Sequence, residues 1–512
     1  MIQSPVPAQR TSGGAFGFRL LCVLLFTLST VALCSCHSAA YYYYKFPEYN
    51  YAGRPVPPSK LAQRVMIGVS VNGNIGNLQI VDASRDIRSN VENTIQFYSI
   101  GGYSSGYPGT ILNFPSETRG FVYSNSDGNL TNINYSSETS AGSVGSFESG
   151  AGAISIPSGF GHYYGAEEAV GVLEVIDNLT GQTYGLSLPN VFKVFANTGD
   201  SVVLAMVHNS NSLYRVFKLN QNQFPTTQAA IAATGSADCE PTLFPVYCVV
   251  QVPGTYDQPA NVYYSLDGTT AYVLNCGPEC GGKTASLTLL QQGPLNSLVI
   301  PASPVQPNPM VPNVPNPVLV PGGVTEALSD GTTLYLAGQQ LQPDGLFEGF
   351  LSTMNQATGT ITGKYPISDG NHSKILFADN NTLWVGSQFC ATGERAKLGL
   401  NDNCLTVAQL STSTPAQVLS VQIVPNVTPG SPTAVVPYPN QNNDQYYYGS
   451  LTGLCWVQNF NKVYTAYGGQ VHIFSTVLSS SGTATELDNE FVTVQGTALD
   501  VAYMDALSDG AD

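Results

Sequence analysis

The chain has 512 residues, only 10% of them charged, and its 34 acidic against 18 basic side chains give a formal charge of −16. That balance repels phosphate backbones and anionic lipid surfaces, so nucleic acid is excluded as a partner. Gly (51), Pro (33) and Tyr (29) are abundant and no long stretch has helical periodicity, the composition of many short strands joined by turns.

At the N-terminus Arg10 and Arg19 precede the apolar run LLCVLLFTLSTVAL over residues 20–33, too short to cross a bilayer comfortably and of the length of a signal-peptide core. It runs into Leu33-Cys34-Ser35-Cys36, which resembles the bacterial lipobox, although Cys34 is an unusual occupant of its position. The resemblance implies removal of residues 1–35, lipidation of Cys36 and a membrane anchor, as in an outer membrane lipoprotein of the cell envelope facing periplasm or exterior. Ordinary cleavage near Ser38-Ala39-Ala40, giving a secreted protein, is the alternative. Residues 36–61 would then hold the lipid attachment and a Tyr/Pro-rich tether, kept extended by its prolines, unless its tyrosines pack on the body or on a partner.

From residue 62 to 512 the chain repeats one form: a strand, a polar turn, then a strand with aromatic or β-branched residues. It is met in QRVMIGVSVNGNIGNLQIVDAS (63–84), SETRGFVYSN (116–125), GHYYGAEEAVGVLEVIDNLTG (161–181) and ANTGDSVVLAMV (196–207). It returns in SLDGTTAYVL (265–274), LSDGTTLYLA (328–337), FADNNTLWVG (377–386) and VQNFNKVYTA (457–466). A third apolar stretch follows each, such as LYRVFKL or ASLTLL, and commonly a fourth, such as TGTITGKYPI. Four short strands per unit predict an all-β chain, a β-propeller of four-stranded blades. The turns count eight blades, and the weak unit around His162 leaves seven open. Outer strands are expected to begin near Arg119, His162, Ser201, Thr270, Thr333, Thr382 and Lys462. Two insertions, 301–323 and 430–449, read as blade-edge loops, where binding commonly resides.

The hairpins, above all the copies at 265 and 328, are similar to the YVTN-type β-propeller repeat of exported bacterial proteins over most of residues 62–512. The resemblance implies a ring of four-stranded blades. It also implies a surface or binding role, or that of the family's lactonase-like enzyme branch.

Without Cys22, Cys34 and Cys36, six cysteines form local pairs: Cys239 with Cys248, Cys276 with Cys280, and Cys390 with Cys404. In an exported chain these read as disulfides, whereas zinc at Cys276 and Cys280 lacks two further ligands nearby. Cys455 is left free behind Trp456. His162, His208, His372 and His472 fall one per unit, and no GxSxG, Walker or Rossmann pattern occurs, so neither metal nor cofactor is expected. Glu167-Glu168 reads as a solvated turn. Asp127, Asp267, Asp330, Asp344 and Asp369 each precede glycine and read as turn formers, though a propeller can gather one Asp or Asn per blade at its axis.

Ala506-Leu507-Ser508-Asp509-Gly510 repeats the run from Ala327 to Gly331, so the strand at 499–507 is expected to pair with 65–71 in one composite blade. Two functions stay open. One is a membrane-anchored scaffold for a protein or glycan partner in the envelope or outside the cell; the other is a propeller enzyme of lactonase-like or metal-dependent type acting on a small molecule in the central channel.

Overall fold

Most strands are apolar on both faces because every sheet is sandwiched between two others. In the strand Arg64–Val71, Val65, Ile67 and Val69 pack with Cys455, Tyr464 and Ile473 on one side, while Met66 turns to Ile111 and Val122 on the other. Nothing in that strand is left for solvent until its last residue.

The computed structural model describes residues 51–509 except 52, 74, 88, 91–95, 148–149, 236–237, 241–243, 298–315, 392–400, 402, 426–447 and 488–493. The chain divides into two units, Met1–Pro55 and Val56–Asp512. Cys36 and the expected signal segment lie in the first, outside the described residues, as do most of both long insertions of the second.

The second unit is an eight-bladed β-propeller. The first blade joins Ile75–Asp82, Arg64–Val71 and the C-terminal strand Thr497–Tyr503. The others follow in chain order over Pro108–Ser146, Ala153–Ser187, Val191–Val252, Pro259–Leu319, Glu326–Pro366, His372–Val424 and Leu451–Ser475. The unit around His162 is a complete four-stranded blade, which settles the count at eight. The eighth shows three strands and a bridge from Phe474 to Glu486, and the fourth gains a fifth strand at Cys239–Glu240. Eight separate clusters of buried side chains form the core, one at each contact between neighbouring blades. A ninth lies under the short helix Thr227–Thr234 of the fourth blade.

In each later blade the strand first in sequence is axial, and from the third blade round to the second through the closing blade each touches the next; in the first blade this place is taken by Thr497–Tyr503. The strands opening at Arg119, His162, Thr270, Thr333, Thr382 and Lys462 are therefore second from the axis, not outer. A turn in the sequence marks two strands as neighbours without telling which lies nearer the centre.

All three expected disulfides are present, and Cys455 is buried and takes part in none of them. Cys239 and Cys248 face each other across paired strands, so that bond fastens the extra edge strand to its sheet. The other two fasten connections between second and third strands, in the fifth and seventh blades.

Candidate functional site

Six axial strands carry a β-bulge at the same step, with Gly109, Phe192, Ala260, Ser373, Thr452 and Leu499 as the extra residues. In the sixth blade Thr325 donates to the carbonyl of Ala337, the residue registered with Glu326, and so takes the equivalent place. A bulge re-aims the side chain beside it. The residues that follow are Thr110, Lys193, Asn261, Glu326, Lys374, Gly453 and Asp500, so one level of the axis gathers a polar girdle to which six blades bring a polar side chain and the eighth a glycine.

The girdle's contacts run from blade to blade. Asn261 Nδ2 donates to Thr325 O (3.0 Å) and Glu326 Oε1 (2.8 Å). Asp500 accepts from Ile111 N (2.8 Å) in the second blade, and Lys374 Nζ of the seventh lies 3.2 Å from its other oxygen. Lys374 spans the eighth blade because Gly453 has no side chain there; a Cβ would sit 2.7 Å from both Asp500 Cα and Oδ1. Burial pushes the Glu326 carboxyl up to about 7, against the opposing pull of Lys193, Lys374 and the Asn261 hydrogen bond. Burial likewise raises Asp500, with Lys374 opposing. A carboxyl titrating near neutrality can move protons, although each acid here also binds a neighbouring strand.

A second cluster lies at the opposite ends of the strands, in the fourth blade. There Leu213–Leu219 outruns Val203–Val207, leaving Phe217, Lys218 and Leu219 paired on one side only, with Cys248, Tyr247 and Val246. The gap is a cavity of about 270 Å³ lined by His162, Asp200, Ser201, Arg215, Lys218 and Tyr247 among others. Lys218 Nζ donates to His162 Nε2 and to Asp177 Oδ2, each at 2.8 Å. His162 Nδ1 meets Asp200, whose other oxygen accepts from Tyr164 Oη (2.9 Å), and Tyr247 Oη donates to Asp177 (2.8 Å). Burial alone would raise Asp177, but hydrogen bonds from Lys218, Tyr247 and Thr180 N outweigh it and hold the carboxyl at about 2.

The other histidines stand apart. His208 stacks on Phe192 and meets Glu168; His372 binds the Ser368 carbonyl, with burial lowering it to about 4; His472 meets Glu486 and stacks on Tyr448. Glu168 is exposed as expected, but Glu167 ends a strand and is buried, against the reading of both as a solvated turn. Strand alternation sends two adjacent residues to opposite faces, and only one of these faces is wet. Asp127, Asp267, Asp330 and Asp344 accept backbone N–H groups two residues on, as turn formers do. Asp369 is buried and accepts from Gly349 N across the sheet, so it is not one of that set. Among the described residues no three His, Cys, Asp or Glu side chains gather as a metal site.

Sequence reasoning missed Lys193, Glu326, Lys374, Asp500, Arg215 and Lys218. A signal existed in VFKVFA, HSKILFA and TALDVAY, each with one charged residue inside an apolar axial strand.

No protein-family model matches the chain, and no curated protein matches it. Solved structures similar to it include a putative 6-phosphogluconolactonase from Bacteroides fragilis, at 9% identity and a TM-score of 0.42, covering 86% of this chain and 97% of that one. The dihydro-heme d1 dehydrogenase NirN is 10% identical with a TM-score of 0.45, over 86% of this chain and 80% of that one. Hydrazine synthase of Kuenenia stuttgartiensis is 13% identical with a TM-score of 0.37, over 76% of this chain and 80% of that one. At such scores they carry no argument about what this chain does.

Proposed function

We propose that this chain is an exported, lipid-anchored β-propeller of the YVTN-repeat type, serving as a binding scaffold for a protein or glycan of the envelope or exterior. The observation that carries the reading is that Asn261 and Asp500 spend their axial polar groups on the strands of neighbouring blades, which makes the girdle a hoop for the ring. The lipobox-like Leu33-Cys34-Ser35-Cys36 and the three disulfides support export. The competing enzyme reading rests on Glu326, whose carboxyl burial raises to about 7 against the pull of Lys193 and Lys374.

Two measurements test this. In a bacterial host, fatty-acid labelling is expected on the wild type and not on Cys36→Ser; label retained by that variant removes the anchor. Purified protein is expected to hydrolyse a δ-lactone no faster than buffer. Turnover that disappears in a folded Glu326→Gln variant would replace the scaffold with the enzyme.

A further inference from the structure

The Cys276–Cys280 bridge differs from the other two disulfides in access. Cys248, Cys390 and Cys404 are buried and Cys239 is half-buried, whereas Cys280 is exposed. Its partner Cys276 is 0% exposed, so this bond has one open end and one closed end. Both cysteines line a cavity of about 180 Å³ between the fourth and fifth blades, together with Phe192, His208 and Gln258.

The same walls carry a base and an acceptor. His208 stacks on Phe192 with 3.8 Å between ring centroids, which fixes the plane of the imidazole. Its Nδ1 meets Glu168, and a carboxylate only accepts, so in the neutral ring Nδ1 carries the proton and Nε2 keeps a lone pair. Nε2 has no hydrogen-bond partner among the described residues. Cys276 Sγ lies 3.0 Å from the Gln258 carbonyl oxygen. A disulfide sulfur has no proton to offer that acceptor, but a thiol has one. Opening the bond therefore gives the buried sulfur a hydrogen bond whose acceptor is already in place.

We propose that Cys276–Cys280 is a thiol–disulfide exchange site for a small thiol of cysteine's size, with His208 as its base. The cavity admits such a thiol and no folded chain. The incoming thiol gives its proton to His208 Nε2, and the thiolate attacks Cys280, the sulfur at the open end. A bond forms between the thiol's sulfur and Cys280 while the Cys276–Cys280 bond breaks, its electron pair leaving on Cys276 Sγ. The proton returns to that sulfur, which then donates to the Gln258 carbonyl. A second thiol attacks the sulfur of the first and releases the small disulfide, leaving Cys280 as a thiol. Two small thiols are thus oxidised as one protein disulfide is reduced. The cysteines remain four residues apart in the chain, so closure in the reverse direction is intramolecular. The inference does not rest on the scaffold reading, since neither the girdle nor the lipid anchor takes part.

The test is a time course of the full mature chain with cysteine, without oxygen, quenched in acid, alkylated and mapped as non-reduced peptides. Cys276–Cys280 is expected to open on the order of tenfold faster than either other disulfide, with the cysteine adduct on Cys280. His208→Gln is expected to slow the opening on the order of tenfold at pH 7, where a free thiol is mostly protonated, and to match wild type at pH 9, where the thiol ionises unaided. A merely structural role of His208 would slow both. Glutathione, the bulkier thiol, is expected to react more slowly than cysteine once each rate is scaled to the thiolate present. Opening of all three disulfides together, an adduct on Cys276, a His208→Gln rate unchanged at pH 7 or still depressed at pH 9, or faster reaction with glutathione each overturns the proposal. Should the glutamine variant fail to fold, Glu168→Gln leaves His208 in place without its carboxylate. Slower opening at pH 7 in that variant supports the site, and unchanged opening overturns it.

Discussion

At Glu326 a single proton decides between two strains on the ring. Its carboxyl is lifted to about 7 by burial, so the folded state favours the protonated form that the unfolded chain gives up near its ordinary value. The linked stability is fully present at pH 4 and is lost as pH rises towards and through 7. Glu326→Gln, which mimics the protonated acid, is expected to match wild type at pH 4 and to exceed it at pH 8 by about 2 kcal/mol in denaturant unfolding. A variant that is less stable at pH 8 would mean that Lys193 and Lys374 hold the ionised form instead. Gly453 makes the opposite point, that an absent side chain can matter as much as a charged one. With a Cβ 2.7 Å from the Asp500 backbone and carboxylate, Gly453→Ala is expected to cost about 1–3 kcal/mol by overpacking and to part Lys374 from Asp500. An unchanged melting temperature in that variant would show that the axial strands have slack at this level.

Among the elements, the loop closed by Cys276–Cys280 shows how a short disulfide serves position more than stability. Its Glu279 accepts from Gln339 N (3.0 Å) and Nε2 (2.8 Å) in the sixth blade, and Gln339 Oε1 in turn accepts from Gly370 N (2.8 Å). A loop of this length removes little unfolded-state entropy, about 2 kcal/mol, against about 3 kcal/mol for the longer Cys390–Cys404 loop. Replacing both Cys276 and Cys280 with Ser is therefore expected to shift the unfolding midpoint less than replacing Cys390 and Cys404, while opening residues 276–283 to protease under native conditions. Protection of that loop in the double variant would show that the Glu279 contacts suffice without the disulfide. The pairs themselves were legible in the sequence because their partners lie only 4 to 14 residues apart. Strands and turns were legible for a like reason, since alternation and Asp-Gly are local signals. The bulges were not, because Phe192 or Ser373 becomes an extra residue only against a particular partner strand. The girdle was hidden one level further: Lys374 and Asp500 are 126 positions apart, and nothing local makes a strand lysine axial. Arg215 looks in the sequence like any strand cation, and only the shortness of Val203–Val207 gives it a cavity.

For the whole molecule the decisive feature is the join, and here a repeated ALSDG was enough to foresee which strands meet. Arg64–Val71 pairs with Thr497–Tyr503 from Val65 opposite Tyr503 to Ser70 opposite Thr497. Three ion pairs lock the join from outside the ladder. Arg64, 2% exposed, binds Asp505 just beyond the C-terminal strand (2.6 Å) and Glu138 of the second blade (2.9 Å), so one guanidinium ties three parts of the ring. On the other flank Lys462 of the eighth blade meets Asp86 (2.6 Å). Because each blade shares its apolar core only with its two neighbours, nothing elsewhere in the ring can replace this seam. Deleting residues 497–512 would expose the ladder of Arg64–Val71 and open the apolar contacts of Ala498, Val501 and Tyr503. It would also remove Asp500 from the girdle and leave Arg64 buried without Asp505. The truncated chain is expected to lose cooperative unfolding and to become protease-sensitive well beyond its new end. Asp505→Asn, which keeps the strand and removes one charge, is expected to cost about 3 kcal/mol while preserving a single transition. If the truncated protein melted as wild type does, the two flanking blades would have to close the ring without the C-terminal strand, and the seam would be an ornament of the fold instead of its closure.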